Sequence, residues 1–224
     1  MFKKGVSMNK ETMTVHKALA ELKILDARIF NATSGKTFVA SKKVSDKKIG
    51  GVLVETVKKD MKADYQSVTD LIARRTAIKK AVVLSNAKAK VIIGGETYTV
   101  AGAIEMKNHG LMAKRDLLDV MVRQYEKARA EVAKHEGEWI EARAEQYIMN
   151  FLQSQPKEAK TTKDSEVVKR LREEYIANNT YELVDPLDIG NEIKVLSDWI
   201  DAFTADVDSQ LSVSNATTTI TVEY

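Results

Sequence analysis

The residues best suited to acid–base or metal chemistry in this chain are its three histidines, His16, His109 and His135. They lie far apart in sequence. His135 has two carboxylates within helical reach, Glu131 four residues before it and Glu138 three after. A metal centre needs three or four converging ligands, whereas a Glu–His pair at i,i+4 by itself makes a helical ion pair. The segment Ser34-Gly35-Lys36-Thr37 ends like a phosphate-binding loop but lacks that loop's first glycine. No Gly-x-Ser-x-Gly elbow would expose a serine nucleophile. The chain has no cysteine, which removes disulfides, thiolate metal sites and thiol nucleophiles together. Glu136, Glu138, Glu141 and Glu145 alternate with Lys134 and Arg143, as on a solvated helix surface. These residues lead us to expect no enzyme: no catalytic residues, no cofactor and no metal.

Charge excludes little else. Thirty-five basic and 32 acidic residues leave a net +3, too even for the basic stripe that nucleic acid calls for. The densest basic run, Lys42, Lys43, Lys47 and Lys48, followed by Lys58, Lys59 and Lys62, reads as a solvated loop and helix face. No stretch approaches the roughly 18 continuous apolar residues of a membrane span, and Met1 to Lys10 lacks a signal peptide's apolar segment. A cytoplasmic protein is expected, with no membrane and no specific nucleic acid among its partners.

Two prolines, 6% aromatics and 30% charged residues suit long helices with a narrow apolar seam. Residues 1–13 read as a flexible leader. A first helix runs from about Thr14 to Phe30, with Val15, Leu19, Leu22, Leu25 and Ile29 on one face. Thr37–Ala40 reads as a short strand. A second helix follows Gly50-Gly51. Its three-four seam is Val54, Val57, Met61, Asp64, Val68, Leu71, Arg75, Ile78 and Val82. Lys90–Ile93, Gly94-Gly95 and Glu96–Val100 form a β-hairpin with a two-glycine turn. A third helix, from Val100 to about Ser154, carries the seam Leu111, Lys114, Leu118, Met121, Tyr125, Ala128, Val132, His135, Trp139, Ala142, Gln146 and Met149. Gly110 and Gly137 are its two candidate breaks. Short connections favour antiparallel neighbours, so Val68, Leu71, Ile78 and Val82 are expected to face Leu118, Met121, Tyr125 and Val132. Residues 14–155 thus make a helical-hairpin domain, 156–164 a linker, and 165–224 C-terminal helices that pack back on the first part. The last helix brings Ile193, Leu196, Ile200 and Phe203, and Thr217–Val222 is a terminal strand.

One composition recurs. Asn31-Ala32, Asn86-Ala87 and Asn215-Ala216 each follow a helix and precede a β-branched run. Asn tolerates the left-handed conformation that ends helices, so Asn31, Asn86 and Asn215 are expected as helix caps of one repeated joint. Their strands would meet in a small sheet. The fold class is then mainly α: a long antiparallel coiled-coil-like helical hairpin or bundle, with a small β-sheet formed by short strands at helix ends.

Ser67–Arg75 through Ser85-Asn86-Ala87, Gly95–Ile104, the helix from Ala113 to Leu118, and the opening Val15–Lys23 resemble septicolysin-like proteins, small helical proteins of bacteria and phages. The resemblance spans about residues 14–155. It implies a helical hairpin and supplies no catalytic residues. The cytolytic activity in the family's name has no apolar membrane-inserting segment here to carry it.

The seams outrun what one chain of this length buries by itself. We therefore expect a non-enzymatic structural or assembly protein, a homo-oligomer or a subunit beside other proteins, in the cytoplasm or in a phage virion. Its packing and interaction residues would be Leu71, Ile78, Leu118, Tyr125, Trp139, Phe151, Ile200 and Phe203. The alternatives are a small protein-binding or inhibitory module and a membrane-active toxin of the septicolysin type.

Overall fold

The computed structural model describes residues 9–156, 162 and 165–224. The chain is mainly helical, and its order is β1 (Lys10–Thr14), α1 (Val15–Ser34), β2 (Lys48–Ile49), β3 (Val52–Leu53), α2 (Val54–Lys88), β4 (Lys90–Ile93), β5 (Glu96–Thr99), α3 (Val100–Glu105), a π-helical turn (Met106–Gly110), α4 (Leu111–Ala133), α5 (Gly137–Ser154), α6 (Glu166–Asn179), α7 (Ile189–Thr217) and β6 (Thr219–Glu223). It divides into two compact units, Met1–His109 with Ala202–Tyr224, and Gly110–Asp201.

In the first unit the strands pair two by two, β1 with β6, β2 with β3 and β4 with β5, all antiparallel. The expected single small sheet is thus three separate ribbons among the described residues. Each strand finds its hydrogen bonds in one neighbour, and β1, β4 and β6 bury alternate side chains, which satisfies them without a common sheet. Met13 of β1 and Ile220 and Val222 of β6 are buried with Val15, Ala18, Leu22 and Leu25 of α1 and Ile78 and Val82 of α2. The seam of α2 is therefore covered by α1 and the terminal ribbon. Leu118, Met121, Tyr125 and Val132, the partners expected from the hairpin argument, lie in the other unit and are half-buried there.

Three further expectations need correcting. Lys10–Thr14, assigned to the leader, is a strand, because β6 supplies the partner that sequence inspection cannot see; residues 1–8 lie outside the described residues. Thr37–Ala40 is not a strand. No neighbouring strand pairs with it, and Phe38 instead sets its ring edge-on to Tyr65 at 6.5 Å. The third helix is interrupted at both of its candidate breaks, Gly110 and Gly137. A π-helical turn interrupts it at Met106–Gly110, and the chain turns at Lys134–Glu136 before Gly137, whose φ of +52° lets it start α5 from a left-handed conformation. Finally, Asn31, Asn86 and Asn215 are not caps. Each sits inside a last helical turn, and none has positive φ. The alanine after each asparagine favours helix, and the helices run on to Ser34, Lys88 and Thr217. The closing N–H groups belong to Gly35, Ala89 and Thr218, which donate to the carbonyls of Asn31, Ser85 and Ser214 at 3.0, 2.8 and 2.9 Å.

The second unit holds α4, α5, α6 and the first part of α7. Ile140, Ala144 and Ile148 are the buried stripe of α5, and Val168 is buried on α6. The turn at 134–136 resets the helical phase, so the seam expected at Trp139, Ala142, Gln146 and Met149 is displaced onto its neighbours. Arg172 of α6 donates to Glu141 at 2.6 and 3.1 Å and pairs with Glu145 at 3.3 Å, and Tyr147 and Tyr175 stack at 4.9 Å. Most of the expected linker, 157–161 with 163–164, lies outside the described residues.

Candidate functional site

Two strand–helix joints in the first unit are built alike. At one, α2 leads into β4, which pairs with β5 as Lys90↔Thr99, Val91↔Tyr98 and Ile93↔Glu96, and the N–H of Val100 donates to the carbonyl of Ala89 at 2.9 Å. At the other, α7 leads into β6, which pairs with β1 as Thr219↔Thr14, Ile220↔Met13 and Val222↔Glu11, and the N–H of Val15 donates to the carbonyl of Thr218 at 2.9 Å. Thr14 and Thr99 cap the helices that leave, their hydroxyls accepting from the N–H groups of Lys17 and Gly102 at 3.2 and 3.0 Å. The sequences match: Glu11-Thr12-Met13-Thr14-Val15, with Ala18 and Leu19, repeats as Glu96-Thr97-Tyr98-Thr99-Val100, with Ala103 and Ile104. Ser85-Asn86-Ala87 repeats as Ser214-Asn215-Ala216. Recurring Asn-Ala pairs point to the incoming helices alone; aligning the chain on itself reveals the outgoing half as well. The chain has a second two-glycine turn. Gly50 and Gly51 (φ +54° and +84°) match Gly94 and Gly95 (+56° and +84°) and join β2 to β3.

Arg74 of α2 ties the terminal ribbon down. Its Nε donates to Glu21 at 2.5 Å, its Nη2 to Glu11 at 2.9 Å and its Nη1 to the Tyr224 hydroxyl, while its guanidinium lies 4.6 Å from the Tyr224 ring centroid. The hydrogen bond from Arg74 holds the Glu11 carboxyl below the usual glutamate range, and the bond to Glu21 raises the Arg74 guanidinium further still. Arg75 likewise holds Asp26 down. The arrangement clamps three segments together. The Arg74 partners lie 53 to 150 residues away in sequence, beyond the reach of any spacing argument.

Two of the chemistry-bearing candidates, His135 and Lys36, are occupied structurally. His135 donates from Nδ1 to the Glu131 carbonyl at 2.9 Å and accepts at Nε2 from Arg143 at 3.1 Å, and its ring stacks on Tyr181 at 3.8 Å. The carbonyl can only accept and the guanidinium can only donate, which fixes this tautomer. The Glu131 carboxyl is held low by its bond from Lys134. Lys36, in the phosphate-loop-like segment, pairs with Asp64 at 2.8 Å. Among the described residues no three His, Asp or Glu side chains converge as metal ligands, and no helix is long and apolar enough to cross a membrane.

The expected packing residues separate into three groups. Ile78, Ile200 and Phe203 are buried, with Phe203 edge-on to Tyr98 at 5.7 Å. Leu71, Leu118, Tyr125 and Phe151 are half-buried. Tyr125 rests on the first turn of α7, where a Cβ on Gly190 would meet its hydroxyl at 3.0 Å, so a glycine is what permits the approach. Beside them is an open groove of about 530 Å³ that Val122, Arg129 and Ile193 help to line. Trp139 is 67% exposed and packs no core. Ile24 and Phe30 of α1 also face out, Phe30 at 70%. Comparison with protein-family models, curated proteins and solved structures finds no match to this chain.

Proposed function

We propose that this chain is a non-enzymatic structural or assembly subunit that acts through helix packing and self-association. The observation that carries this reading is the exposure of large apolar side chains on well-formed helices, above all Phe30 on α1 and Trp139 on α5. Both stand on helices whose opposite faces are already buried, so they add nothing to their own unit's core. Exposed aromatic anchors of this kind are enriched at protein interfaces. The septicolysin-like resemblance points to a phage particle as the setting. The test is mass in solution, by sedimentation velocity across a concentration series. A concentration-dependent rise above the 25.0 kDa monomer is expected. A strictly monomeric chain at tens of micromolar sinks the proposal and favours a binding module that grips an unlike protein.

A further inference from the structure

The loop between α1 and β3 and the loop before α7 carry opposite charge in nearly equal measure. Residues 36–48 hold five lysines against one aspartate, a net +4, and residues 182–192 hold four acids and no base, a net −4. Lys36 is paired with Asp64, and Lys42 donates to the carbonyls of Lys43 and Val44. That leaves Lys43, Lys47 and Lys48 exposed and without an ion pair among the described residues. On the acidic side Asp185 accepts from the N–H groups of Leu187 and Ile189, while Glu182, Asp188 and Glu192 are exposed and likewise have no ion pair there. Each loop also presents apolar side chains to solvent: Val39 at 83% and Val44 at 99% in the basic one, Val184 at 82% and Leu187 at 66% in the acidic one.

We infer that the 36–48 loop is a docking surface for the 182–192 segment of a second copy of this chain. The inference rests on the assembly reading above and adds the surface and its partner. Both loops stand on ordered elements. The basic one is anchored by the β2–β3 pairing, by the N–H of Val54 donating to the Lys47 carbonyl, and by Lys36 on Asp64. The acidic one is held by the Asp185 cap on α7. Opposite charge selects the partner and its orientation, and the valine and leucine side chains supply apolar area that surface charge pairs by themselves do not. The contact joins unlike patches, so each copy keeps one patch free. Copies then add in a head-to-tail row that closes into a ring or grows into a filament.

Sedimentation velocity at low and high salt tests this on the full chain and two variants whose patch is brought to zero net charge, Lys43→Glu/Lys47→Glu and Glu182→Lys/Glu192→Lys. All four positions are exposed, and circular dichroism verifies that the helices persist. The wild-type chain is expected to associate more strongly at low salt, where screening is weaker. Each variant by itself is expected to associate at least about tenfold more weakly. An equimolar mixture of the two is expected to recover association as one-to-one pairs, because the first keeps its acidic patch, the second keeps its basic one, and the substituted patch of each is neutral. Wild-type association that neither variant weakens overturns this surface and leaves the assembly reading standing. A wild-type chain that stays monomeric overturns both. Binding of a DNA duplex that Lys43→Glu/Lys47→Glu abolishes, with self-association unchanged, assigns the lysines to a polyanion and also overturns the inference.

Discussion

At the scale of single residues, burial separates positions that the same periodicity placed together. Ile78 and Trp139 both fall on three-four seams, yet Ile78 is fully enclosed by α1, α2 and the terminal ribbon while Trp139 faces solvent. Ile78→Ala is expected to lower unfolding stability by about 2–5 kcal/mol, the cost of a core cavity. Trp139→Ala is expected to stay within about 0.5 kcal/mol in a dilute monomer. Urea unfolding of both variants checks this, and equal losses would falsify the assignment of Trp139 to the surface. The Arg74 cluster adds a pH dependence. Glu11 has a folded pKa lowered by Arg74, so the unfolded chain binds its proton first as pH falls. Its contribution is present in full above the ordinary glutamate pKa of about 4.3 and is lost as pH drops through the lower folded value. The protection factors of the β1 and β6 amides, with intrinsic exchange divided out, are expected to fall in that acidic window, and Arg74→Gln is expected to remove the dependence.

At the scale of elements, the duplicated joint explains why such short strands persist. Each ribbon is a few residues long, but the helix-side end of both its strands is fixed. A helix delivers one strand, a capped helix receives the other, and a backbone hydrogen bond from Val15 or Val100 closes the pair. Thr14→Ala and Thr99→Ala are each expected to cost about 1 kcal/mol through loss of the cap. Thr→Ser at either site keeps the acceptor and is expected to restore most of it. Thermal melts of the four variants measure this; a cap whose removal costs nothing shows that the strand pairing holds the helix start without it.

At the scale of the whole molecule, the two chain crossings between the units fall at the π-helical turn, between His109 and Gly110, and within α7, between Asp201 and Ala202. The first unit is closed by residues from opposite ends of the chain. Asn9 and Tyr224 exchange backbone hydrogen bonds at 2.9 and 3.1 Å, as opposed residues of a ribbon do. A two-glycine turn could therefore join them as Gly94-Gly95 joins β4 and β5. A permuted chain that starts at Gly95, ends at Gly94 and links Tyr224 to Asn9 through Gly-Gly is expected to keep its helical circular dichroism and cooperative melt. A permutant that expresses only as an unfolded chain shows that the two joints are not interchangeable.

The sequence by itself determined what depends on neighbours within a few turns. The helical character of 15–34, 54–88 and 189–217 and the Gly94-Gly95 hairpin follow from periodicity and turn chemistry. So did the terminal strand and the burial of Ile78, Ile200 and Phe203. Tertiary structure decided what depends on distant partners. Lys10–Thr14 became a strand because β6 lies beside it, and Thr37–Ala40 did not because no strand among the described residues does. The turn at 134–136 shifted the phase of α5 and moved burial from Trp139 to Ile140. The partner of α2 proved to be α1, because an apolar stripe records that it needs covering and not by what. The same limit hid the clamp at Arg74, whose carboxylates and tyrosine converge only after the ribbon has joined the chain's two ends.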